Sequence, residues 1–88
     1  MASYKVVFKS SAEKDLRSLP RAMVTRIFER LETLATEPFP RQSIKLTSTE
    51  QLYRIRVGDY RIIYGVDQSA KQVTVHYIRH RREVYRRM

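Results

Sequence analysis

The chain has 88 residues, enough for one domain (residues 1–88) with one core. Eighteen Lys and Arg against nine Asp and Glu give a net charge of +9 and a pI near 10.4, which points to a polyanionic partner, nucleic acid before an anionic membrane. Cysteine is absent and there are only two histidines, so disulfides and thiol chemistry are excluded and neither a metal site nor a cofactor is expected. No apolar run approaches the roughly 20 residues that span a bilayer. Val6-Val7-Phe8, bounded by Lys5 and Lys9, is no signal-peptide core. The expected location is the cytoplasm, without membrane contact.

The charge is uneven. Residues 1–40 hold 7 basic and 5 acidic groups, and residues 41–88 hold 11 and 4. The basic character belongs to the second half.

Tyr4–Phe8 reads as a short strand. Ser10-Ser11-Ala12-Glu13 fits a capping box, in which the serine hydroxyl and Glu13 would satisfy each other's backbone donors. A helix over about Ser11–Leu19 follows. Pro20 opens a second helix where its missing N–H does no harm. Val24, Ile27, Phe28, Leu31 and Leu34 form an amphipathic stripe that runs to about Thr36. With almost no loop between them, the two helices should form a hairpin packed on a sheet. Glu37-Pro38-Phe39-Pro40 ends it, and residues 37–51 read as a connector in which Ile44 and Leu46 pack locally.

Leu52–Val66 organises the rest. Tyr53, Ile55 and Val57 alternate with Arg54 and Arg56; Tyr60, Ile62, Tyr64 and Val66 alternate with Arg61 and Ile63. Period-two alternation is the strand signal, and Gly58-Asp59 is a turn pair suited to positive φ. With that turn, Val57 faces Tyr60, Arg56 faces Arg61, Ile55 faces Ile62, Arg54 faces Ile63 and Tyr53 faces Tyr64. Opposite residues share a face. One face is therefore core, and the other gathers Arg54, Arg56 and Arg61. Like charges placed opposite one another are destabilising, which suggests that an anion sits there; an ordinary solvated face is the alternative. After a turn at Asp67–Lys71, Gln72–Ile78 reads as a further strand, with Val73, Val75 and Tyr77 on one side and Thr74, His76 and Ile78 on the other. Arg79–Met88 is a charged tail. The predicted class is α+β, in the order β-α-α-β-β-β, with an N-terminal strand and helical hairpin packed on an antiparallel sheet.

Arginine suits phosphate because its planar fork donates two parallel charge-assisted hydrogen bonds. Arg54, Arg56, Arg61 and a tail arginine, Arg81, converge in this reading. Tyr85, among the tail arginines, is either a base-stacking ring or an anchor for the tail. His80 is a candidate acid or base. There is no carboxylate cluster and no paired histidine.

Leu-Tyr-Arg-Ile-Arg-Val-Gly-Asp-Tyr-Arg-Ile-Ile-Tyr, followed by Tyr-Ile-Arg-His-Arg-Arg-Glu-Val-Tyr-Arg, resembles the RelE toxins of the RelE/ParE superfamily. The resemblance covers the whole chain in element order. It implies the toxin of a type II toxin–antitoxin system: an mRNA interferase that enters the ribosomal A site and cleaves the codon without metal, by attack of a 2′-hydroxyl on the adjacent phosphate. It implies a transition-state role for Arg61, a leaving-group role for Arg81, and stacking on the codon or deprotonation of the 2′-hydroxyl for Tyr85. Arg54 and Arg56 match the family's basic pair, and His80 and Arg82 complete the RNA-binding set. The implied partners are a cognate antitoxin, the ribosome with its message, and operator DNA bound through the antitoxin. A ParE-like toxin acting on DNA gyrase and a non-catalytic nucleic-acid-binding module are the alternatives. Three departures stand out. Arg79 replaces a usual glycine, the Arg81–Tyr85 interval is short, and arginine replaces lysine at 54 and 56, which removes a proton acceptor there.

Overall fold

Across the Gly58-Asp59 turn Val57 faces Tyr60, as the alternation requires, and every cross-strand pair expected from that register is present in the computed structural model. The structure describes residues 3–41, 43–46 and 52–80. The elements are β1 (Lys5–Phe8), α1 (Ser10–Arg17), α2 (Arg21–Thr36), β2 (Ile44–Lys45), β3 (Leu52–Val57), β4 (Tyr60–Asp67) and β5 (Gln72–His80). Gly58 has φ +59° and Asp59 is not left-handed, the sign pattern of a type II′ turn, which matches the twist of the flanking strands.

The five strands are ordered β1-β5-β4-β3-β2. The α+β class and the element order are as expected, with two differences. The sheet is mixed, because β1 runs parallel to β5 while every other pair is antiparallel. The connector also contributes β2, a two-residue edge strand on β3, too short for periodicity to reveal. Its Ile44 is exposed instead of packing locally.

Both helices cover one face of the sheet. Ala12 of α1, Ile27, Leu31 and Leu34 of α2, and Ile55, Val57, Ile62, Tyr64, Val66, Val73, Val75 and Ile78 of the strands form one buried cluster. Among the described residues, no helix is long and apolar enough to cross a membrane.

Tyr64, buried at the centre, donates its hydroxyl to the Pro38 carbonyl at 2.9 Å. This bond ties the end of the helical layer to the sheet. Burial raises the pKa of the phenol above its usual 10.0, and a hydrogen bond with Ser43 opposes part of that rise. Tyr64→Phe keeps the ring but strands a carbonyl, and is expected to cost about 1–2 kcal/mol in urea unfolding at neutral pH. A raised folded-state pKa stabilises fully below pH 10 and loses its contribution as pH rises through that pKa. The deficit of the variant relative to wild type should therefore be constant below pH 10 and shrink above it.

The capping box is not formed. Lys9, not Ser10, is the N-cap of α1, and no side chain caps the helix. Ser11 instead donates its hydroxyl to the His76 carbonyl of β5 at 2.6 Å. Asp15, one turn on, accepts the Ile78 N–H at 2.9 Å. The pairing of β1 with β5 ends at Phe8 and Val75, so the edge of β5 beyond that point would be unpaired. Side chains of α1 take over where the strand stops.

Between Ile63 and Tyr64 the β4–β5 register shifts. Tyr64 faces Val75 and Ile63 faces Tyr77, leaving His76 as an extra residue. One inserted residue reverses every side chain after it. The expected sides of Tyr77 and Ile78 are thus exchanged: Ile78 is 2% exposed in the core and Tyr77 is 41% exposed on the opposite face. The strand also continues two residues further than expected, taking in Arg79 and His80.

Candidate nucleic-acid interface

The face away from the helices is where the arginines meet. Arg56, Arg61 and Arg79 are cross-strand partners on β3, β4 and β5, so three guanidinium side chains stand in one row. In the next row Arg54 faces Ile63, which faces Tyr77. Ile63, in the middle of this second row, is buried yet lies outside the core cluster.

Each arginine is held differently. Arg56 donates from Nε to the Gly58 carbonyl at 3.0 Å. Arg79 lies with Nε 3.5 Å from the Asp15 carboxylate and its guanidinium carbon 5.0 Å from the Tyr77 ring centroid. Arg61, in the middle, is only 7% exposed. A long cationic side chain is rarely buried this far. Arg54 is half-buried, opposite exposed Ile44 of β2.

The row opens into a cleft of about 500 Å³ lined by Arg30, Ile44, Arg54, Arg56, Gly58 and Arg61. A second hollow of about 330 Å³ shares Arg30, Arg56 and Gly58 and adds Arg26 and Glu29. Five arginines from three elements therefore border one continuous depression, with Glu29 the carboxylate among the lining residues. Guanidinium groups stay charged at any working pH, so the depression suits a polyanion bound by forked hydrogen bonds. Among the described residues, no three His, Asp or Glu side chains group as metal ligands.

Arg54, Arg56 and Arg61 thus come together as the sequence predicts. His80 does not join them. It faces Tyr60 in the register and meets that ring edge-on at 5.3 Å between centroids, on the helix-packed face. The cause is simple alternation along the longer β5: Ile78 in, Arg79 out, His80 in. Arg81, Arg82 and Tyr85 lie outside the described residues. Sequence reasoning missed Arg26 and Arg30, whose spacing of four puts them on one side of α2 and was the available signal. It also missed Arg79, treated there as tail.

The family model described as "ParE toxin of type II toxin-antitoxin system, parDE" matches residues 6–85. The putative toxin RelE1 of Methanocaldococcus jannaschii is 30% identical over 76 residues, covering 83% of this chain and 84% of that protein. Toxin RelG of Mycobacterium tuberculosis is 28% identical, covering 96% and 98%. Among solved structures, the archaeal RelE–RelB complex from Pyrococcus horikoshii superposes with a TM-score of 0.81 at 38% identity, covering 92% of this chain and 97% of that one. With a helix-backed sheet, an arginine-lined outer face and these relatives, the protein is a toxin of the type II toxin–antitoxin class. The chain belongs to the RelE/ParE toxin family.

Proposed function

We propose that this toxin is a ribosome-dependent, metal-independent mRNA endoribonuclease that cleaves the A-site codon by attack of a 2′-hydroxyl on the adjacent phosphate. The observation that carries the reading is the buried Arg61, flanked by Arg56 and Arg79 on rigid strands. A pentavalent phosphate gathers negative charge, and preorganised donors aimed at it lower the barrier by about 2.7–4 kcal/mol each. Arg61 supplies that stabilisation. Arg81 acts as a charge clamp on the departing 5′-oxygen, since a guanidinium does not give up its proton at any working pH and is a poor general acid. Tyr85 stacks on the codon or takes the 2′-hydroxyl proton. Arg54, Arg56 and Arg82 hold flanking phosphates. Weak acids and bases leave positioning as the main source of rate, which suits an enzyme that depends on the ribosome to present its substrate.

Solved relatives are RelE–RelB complexes from Pyrococcus horikoshii and M. jannaschii. By analogy this chain has a cognate antitoxin, acidic or amphipathic, that covers the basic face and carries the complex to operator DNA. The reading places the toxin in the cytoplasm.

Primer extension on translated messages after brief expression tests the reading: cuts within A-site codons support it. The family model's description as ParE favours a second reading, a gyrase-directed toxin without nuclease activity. Intact messages together with inhibited supercoiling would select that one. Binding should also weaken steeply with salt. With about five phosphates neutralised, log K against log salt should slope near −3.5 on single strands, and a flat dependence would remove the basic face from the interface.

A further inference from the structure

Tyr77 is a large aromatic side chain turned outward on a strand whose alternation would have buried it. The reversal is built, not incidental. The extra residue His76 bulges β5, and three contacts hold the bulge. Ser11 donates to the His76 carbonyl, Asp15 accepts the Ile78 N–H, and the His76 ring lies against Gly65, where an added Cβ would come within 3.2 Å of Nε2. Downstream, Asp15 also pairs with Arg79, whose guanidinium lies over the Tyr77 ring at 5.0 Å. The ring is thus oriented by a cation that is itself anchored, has the His76 ring 6.5 Å away between centroids, and remains 41% exposed. Tyr77 faces Ile63, two residues along β4 from Arg61. Sheet geometry puts its Cα about 8 Å from that of Arg61, close enough for one nucleotide to set its base on the ring and its phosphate at the arginine row.

We propose that Tyr77 is a nucleobase platform: an unpaired base of the bound RNA stacks on its ring, beside the phosphate-binding arginines. This rests on the nuclease reading above. Stacking of bases on aromatic rings is tolerant of base identity because every base has a π-face, so the platform fixes the position of the scissile strand and does not select its sequence.

The test uses ribosomes programmed with four messages: one with an intact A-site codon and three with an abasic nucleotide at each codon position in turn. Single-turnover cleavage is compared for wild type, Tyr77→Phe, Tyr77→Ala and Tyr77→Ile, the last keeping strand propensity and bulk without a ring. On the intact codon the alanine and isoleucine variants should lose about tenfold in second-order rate constant, and phenylalanine should stay within about twofold of wild type. On one of the abasic messages the penalty for losing the ring should vanish. Equal penalties on all four messages would make Tyr77 a structural support and overturn the platform. So would full activity of both ringless variants, or a phenylalanine variant as impaired as alanine. A wild type that cleaves none of the programmed messages overturns the nuclease reading and the platform together, and shows this before any variant is compared.

Discussion

Arg61→Ala is expected to lower single-turnover cleavage of ribosome-bound message by about 10²-fold or more, as loss of a transition-state donor does. The loss should fall on the chemical step, seen as a reduced rate at saturating enzyme. Arg54→Ala should instead weaken binding, because a guanidinium holding a non-reacting phosphate serves ground state and transition state alike. Arg61→Met keeps the length of the side chain at this 7% exposed position without its charge, and should be as inactive as the alanine variant. Its melting midpoint is the control: a methionine variant that melts far below wild type would mean that Arg61 is a structural residue, and its activity loss would then carry no mechanistic weight.

Leu34→Ala should destabilise the domain by about 2–5 kcal/mol, because the side chain is fully buried and its removal leaves a cavity. A domain of this kind has roughly 5–15 kcal/mol in total, and each kcal/mol moves Tm by about 4–8 °C at this size. The midpoint should fall by about 8–40 °C. Phe28, from the same apolar stripe of α2, is 43% exposed and meets Phe8 across the surface with ring centroids 5.8 Å apart. Phe28→Ala should cost less, about 1 kcal/mol, since over two-fifths of the residue still faces water in the folded state. Urea unfolding checks the pair: the midpoint should move far more for Leu34 than for Phe28, with unchanged slope. Equal losses would mean that the sheet side of the stripe is not where the stability resides.

Residue order alone determined the hairpin and its charge. A two-residue turn leaves one register, and a period of two then sends Arg54, Arg56 and Arg61 to one face and Ile55, Val57 and Ile62 to the other. The second helix was equally legible, because its apolar spacing is local and continuous; it ends at Thr36 as the stripe predicts. The features that went unread depend on partners distant in sequence. Ser11 reads locally as no more than the first residue of a helix, but the carbonyl it serves belongs to His76, 65 residues away. Ile44 and Lys45 form a strand only because β3 presents an edge to them. The bulge at His76 is invisible to alternation until β4 supplies the register against which one residue is extra. That bulge moved Tyr77 out, Ile78 in, Arg79 into the arginine row and His80 away from it. Arg26 and Arg30 joined the cleft because α2 packs beside β3. Periodicity reports which side of its own element a residue occupies. Which neighbours that side meets is decided by long-range backbone pairing and packing, so the arginine face could be read from the sequence while its full membership could not.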